Sequence, residues 1–104
     1  MSTTKKGTHY LKTWPVFFGA ILSGRKTFDV RNDDRKFEEG DAVVCCEWEP
    51  SKGKEREADG YTGREVRGVI TYLLLPSDCA SGAVNEGFVV FCCEWDITAS
   101  RTNP

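Results

Sequence analysis

The sequence predicts a mainly β fold of the α+β class: a small, mostly antiparallel barrel of about five strands with one N-terminal α-helix packed across it. Three observations carry this. Only residues 14–22 show the i, i+3, i+4, i+7, i+8 apolar spacing of a helix, whereas five other runs have the short period or continuous apolar character of strands. Two long loops rich in glycine, proline, serine and charge divide the later runs. And 104 residues, 39% of them hydrophobic, suffice for one core and not for two.

Residues 1–8 are expected to be a disordered lead, 9–97 the single domain and 98–104 a frayed tail. Residues 9–12 make a short strand with Leu11 and His9, read as a structural histidine, on one face and Tyr10 and Lys12 on the other. Trp14-Pro15 opens the helix, because proline suits the first helical position and pushes the residue before it into extended geometry. Trp14, Phe17, Phe18, Ile21 and Leu22 then form one wide apolar stripe, expected to bury against a sheet. Gly24 fits the position just past the helix, where a left-handed backbone costs glycine little.

The next strand, residues 27–31, alternates. Phe28 and Val30 share the face expected to enter the core, and Thr27, Asp29 and Arg31 share the other. A polar corner follows, anchored by Phe37 and turned at Gly40. Residues 42–48 are apolar on both faces and read as a central strand. Residues 64–75 and 88–95 are the remaining strands, after loops at 50–63 and 76–87. The segments VVCCEWE (43–49) and VVFCCEWD (89–96) look alike, but the extra Phe91 breaks their common register.

Charge is uneven. Up to residue 36 there are eight basic and three acidic side chains, a net of +5, which leaves −7 for the remainder of a chain whose total is −2. A basic end on an acidic protein can engage phosphate locally without being a polycation. No apolar run approaches the length of a membrane span, and the opening MSTTKKGTH lacks the apolar core of a signal peptide. Five cysteines, four in adjacent pairs inside strands, point to reduced thiols in a cytoplasmic protein. With one histidine and no C-x-x-C spacing, no metal site is expected. No cofactor fingerprint is present.

The candidate site is the polar row after the helix. Thr27, Asp29 and Arg31 line up a hydroxyl, a carboxylate and a guanidinium within about 14 Å, with Lys26 at the mouth between helix and strand. Arg31 suits bidentate recognition of a phosphate or base edge, and Asp29 can orient it or accept an amino proton. A second cluster is GYTGR at 60–64. Tyr61 offers a stacking face and Arg64 a backbone contact, or else the two glycines make a plain turn that Tyr61 covers.

In combination, the H-x-L-K-x-W-P opening (read here as HYLKTWP), the SGRKTFDVR strand, the NDDR corner and the GYTGR turn resemble a short bacterial and phage family in the ASCH branch of the PUA-like superfamily. The resemblance covers residues 9–95. It implies a PUA-like barrel with a cleft between helix and strands, in a superfamily whose members typically bind RNA or modified bases. Some ASCH relatives resemble amidohydrolases acting on N4-acylated cytidine, and others have ribonuclease activity. Of the amidohydrolase motif, Lys26 matches the lysine and Arg31 the arginine. Asp29 stands where those relatives carry threonine, and no glutamate aligns with their third catalytic residue.

The expected function is therefore a small nucleic-acid-binding module for RNA, a single-stranded base or a modified nucleoside, acting as a monomer away from membranes. Lys12, Lys26, Arg35 and Arg64 would hold phosphate, and Asp29, Arg31 and Tyr61 would read the base. Two alternatives are a hydrolase on nucleosides or RNA using Lys26 and Asp29, and a phage or bacterial protein-interaction module.

Overall fold

A computed structural model describes the backbone of residues 7–101 and the side chains of residues 7–97. Residues 1–6 of the expected lead and 102–104 of the expected tail lie outside the described residues. The elements are β1 (Thr8–Thr13), α1 (Pro15–Leu22), β2 (Phe28–Asn32), β3 (Ala42–Trp48), β4 (Tyr61–Leu74) and β5 (Phe88–Arg101), with short 3₁₀ turns at Glu57–Gly60 and Pro76–Asp78. They form one mainly β domain, a five-stranded sheet in the order β1-β3-β4-β5-β2. β1 runs parallel to β3, and every other pair is antiparallel.

The sheet curls until its two end strands face each other across an open seam. Side chains bridge that seam: Arg31 on β2 donates from Nη2 to the Lys12 carbonyl of β1 at 3.0 Å, and Arg35 donates from Nη1 to the Tyr10 carbonyl at 2.7 Å. Tyr10 and Lys12 are alternate residues of a strand, so their carbonyls point to the same edge. The guanidiniums satisfy acceptors that a closed ladder would otherwise have paired.

α1 begins where the extended Trp14 offers its carbonyl to the amides of Phe17 and Phe18. It ends at Gly24, whose φ is +80°, and the amides of Arg25 and Lys26 both return to the Ala20 carbonyl. That is the glycine stop anticipated from sequence. Its apolar stripe is only partly used. Phe18 and Ile21 are buried and Leu22 is half-buried against the core, whereas Trp14 and Phe17 remain 49% and 51% exposed. An eight-residue helix on a curved sheet contacts it along a narrow line, which leaves one margin of the stripe outside.

The expectation for β2 is reversed. Phe28 and Val30 are exposed, and Asp29 and Arg31 are half-buried on the concave side. β2 is the last strand of the sheet, so none of the described residues covers its convex face, while the curl brings β1 and the start of α1 over the concave one. Thr27 precedes the strand and is exposed, with its carbonyl taken by the Cys93 amide.

The core lies inside the curl, with Phe18, Val43, Cys45, Val66, Ile70 and Phe91 among its side chains. β3 is covered on both faces at its centre, where Val43, Val44 and Cys45 are all buried. The similar cysteine pairs sit one step out of register. The first cysteine of β3 and the second of β5, Cys45 and Cys93, enter the core, while Cys46 is half-buried and Cys92 exposed. Burial pushes the Cys45 thiol up to about 11 and the Cys93 thiol up to about 12, so both pack as small apolar groups. β4 starts three residues earlier than expected, and register shifts let it wrap the curl. β5 continues to Arg101, paired with Glu65, where sequence had placed a frayed tail from Thr98.

Two buried anchors match their sequence assignment. Phe37 is 5% exposed and packs its ring against His9 and Phe91, at centroid distances of 4.6 and 5.1 Å. His9 pairs through Nε2 with Asp41 at 2.8 Å, a structural role.

The 50–60 loop folds back on Trp48, whose Nε1 donates to the Glu57 carbonyl at 2.8 Å. Gly53 and Gly60 leave room for that indole; a Cβ at either would press into the ring. Gly60→Ala is expected to destabilise by about 1–3 kcal/mol, the usual cost of overpacking, read as a shift of the denaturant midpoint at unchanged slope. An unshifted midpoint would mean that the indole moves aside freely.

Candidate nucleic-acid interface

At one end of the seam a pocket of about 480 Å³ opens between the start of α1, the end of β1 and the concave face of β2. The exposed margin of the helix, Trp14 and Phe17, supplies its aromatic side. Lys26, Asp29 and Arg31 supply its polar side, and Lys12 and Thr13 come from β1.

Asp29 organises the polar side. Its Oδ1 accepts the Val30 amide at 2.9 Å and Lys26 Nζ at 3.3 Å, and its Oδ2 accepts Arg31 Nε at 3.0 Å. A carboxylate offers about four acceptor sites, so among the described residues three are used and one is left for a ligand. Lys26 also donates to the Phe28 carbonyl at 2.6 Å, which fixes its ammonium at the mouth. Arg31 turns Nη2 to the Lys12 carbonyl and, at 3.4 Å, to the Thr13 hydroxyl. Both cations are thus held in place before any ligand arrives. Preorganised groups of this kind spare the entropy of ordering on binding.

Lys12 lines the pocket, but its Nζ is paired with Glu57 at 2.6 Å and lies 4.2 Å from the centroid of the Trp48 ring. The pair is solvent-exposed, so exchanging Glu57 for a ligand anion costs little. Arg35 lies beyond this pocket, at the corner after β2. Tyr61 and Arg64, the second cluster of the sequence, do not line it. Tyr61 starts β4 opposite Trp48. Arg64 reaches Glu47 at 3.5 Å and covers the Phe18 ring at 5.1 Å. The reason is Gly63: its φ of +92° turns the chain so that Thr62 and Arg64 both meet the buried Glu47.

Sequence reasoning missed Phe17 and Thr13 as pocket residues. Phe17 was counted into the core stripe; the signal was a stripe too wide for one short helix to bury. Thr13 has no local signal, because only closure of the curl brings it to Arg31.

Comparison with known proteins places the chain. The family model of DUF3850, described as a domain of unknown function, matches residues 8–93. The chain belongs to this family. The DUF3850 match takes in every residue of the pocket. The chain is also similar to an uncharacterized 12.9 kDa protein in the GpA 3' region of Escherichia phage P2, with 32% identity over 63 residues. That alignment covers 61% of this chain and half the length of the phage protein. Among the described residues, no helix is long and apolar enough to cross a membrane, and no three His, Cys, Asp or Glu side chains are grouped to hold a metal ion.

Proposed function

We propose that the pocket between α1, β1 and β2 binds one unstacked base of RNA or of single-stranded nucleic acid, or the corresponding modified nucleoside. The observation that carries this is the pairing of two half-exposed aromatic rings with a fixed Lys26–Asp29–Arg31 array in one hollow of about 480 Å³. The size lies in the range of small-molecule sites. A planar base satisfies both sides: its face stacks on Trp14 or Phe17, and its edge meets the remaining acceptor of Asp29 and the guanidinium of Arg31. The resemblance to the ASCH branch of the PUA-like superfamily supports the same ligand class. Hydrolysis is the weaker reading, because Lys26 is placed as a donor to a carbonyl and a carboxylate, and Asp29 replaces the threonine of the amidohydrolase-like relatives.

The test is titration with short single-stranded RNA and with N4-acetylcytidine, read by tryptophan fluorescence, with product analysis in the same samples. Trp14→Ala is expected to weaken binding about five- to 150-fold, the 1–3 kcal/mol of one base–aromatic stack. Stability should change by less than about 1 kcal/mol, since half of the Trp14 surface is already exposed. Equal affinity in wild type and variant contradicts the base pocket, and turnover lost in Lys26→Ala favours the hydrolase.

A further inference from the structure

The pocket does not stop at Arg31. A smaller hollow of about 230 Å³ continues along the seam toward the corner after β2, and Val30 and Arg31 line both. Leu11 and Phe37 also line this hollow, and Arg35, with Asp34 beside it, completes it. The two arginines reach β1 at carbonyls two residues apart. At about 3.3 Å per residue that is a step of about 6.6 Å along the seam, a spacing at which one phosphate lying between the two guanidiniums meets both.

Donors remain for a ligand. A guanidinium carries five N–H groups. Arg31 spends Nε and Nη2 on Asp29, Lys12 and Thr13, which among the described residues leaves Nη1. Arg35 donates from Nη1 to Tyr10, and its ion pair with Asp34 is long, at 3.9 Å, and exposed on both sides. Such a pair yields readily to a phosphate that both arginines can share.

We infer that the pocket and the seam hollow form one track for a phosphodiester-linked strand, with a base in the pocket and the adjoining phosphate between Arg31 and Arg35. The ligand class is then an oligonucleotide and not a free nucleoside. This inference rests on the base-pocket reading above. The corner that follows β2 serves the track directly: Asp33 accepts the Phe37 amide at 3.1 Å, and its own amide is held by the Gly87 carbonyl at 2.8 Å, so Arg35 projects from a fixed turn.

The experiment is calorimetric titration of wild type and Arg35→Gln with the ribonucleosides and with their dinucleoside monophosphates, at several salt concentrations. In wild type, the dinucleoside monophosphates should bind at least tenfold tighter than the nucleosides. Their log K should also fall more steeply with log salt, by about 0.7 for the one added phosphate. In Arg35→Gln the affinity ratio between the two ligand classes should drop toward one. The salt slope of wild type does not depend on whether the variant folds. Equal affinities and equal slopes in wild type overturn the track and leave the base pocket standing. No binding of either ligand class overturns both.

Discussion

Replacing Arg31 with alanine is expected to weaken binding of a single-stranded ligand at least tenfold and, at the same time, to destabilise the fold by about 1.5–3 kcal/mol, the range for hydrogen bonds made by a charged group. From sequence, the same substitution should abolish binding with stability nearly intact. The structure revises the second half, because Arg31 also spans the seam to the Lys12 carbonyl and holds Asp29. Arg31→Lys separates the two roles. A lysine keeps the charge but lacks the planar fork that serves Asp29 and Lys12 together. Titration and chemical denaturation on both variants check this. Full affinity in Arg31→Ala would remove the pocket from consideration, and full stability would show that the seam needs no bridge.

Asp41→Asn is expected to destabilise by about 1–3 kcal/mol, the cost of leaving buried hydrogen-bond donors without their acceptor. Asp41 is 4% exposed and accepts the His9 ring at 2.8 Å, the Glu38 amide at 3.0 Å and the Gly7 amide at 3.3 Å. An asparagine keeps one oxygen and turns an NH₂ toward donors. The pH dependence follows with a definite sign. Burial by itself raises the Asp41 carboxyl, but the His9 hydrogen bond, the Glu38 amide, the His9 charge and the Gly7 amide together outweigh it and hold the group below its ordinary 3.8. A carboxyl depressed in the folded state contributes stability that is fully present above the unfolded value and lost as pH falls through the folded one. The gap between wild type and Asp41→Asn should therefore narrow as pH falls below 3.8. A gap that persists unchanged at lower pH would place the Asp41 contribution elsewhere than in its charge.

Much of this architecture is local enough to be read in the residues. Pro15 and Gly24 bracket the helix, Ala42–Trp48 matches β3 end to end, and Phe37 and His9 are the anchors their neighbours suggested. Phe91 does shift the cysteine register by one, and so Cys45 and Cys93 face the same core. What could not be read depends on the curl of the sheet. The inward face of β2 is decided by its place at the end of the strand order, not by alternation, and so its polar residues turn in and Phe28 and Val30 turn out. The parallel pairing of β1 with β3 and the arrival of Thr13 at Arg31 are likewise products of the curl. Within the site, Lys26, Asp29 and Arg31 are legible because six consecutive residues, 26–31, carry all three. The contacts of Arg64 were not legible, because Gly63 turns the chain toward Glu47, a buried acid that a strand pattern does not reveal.

Nitrogen–proton correlation spectra taken while a short single-stranded RNA is added follow the pocket residue by residue. The account predicts saturable shifts in the Trp14 indole and in the amides of Phe17 and residues 26–31, with the Trp95 indole still. Shifts centred instead on the exposed Val69 and Tyr72 of β4, or none at all, would contradict it.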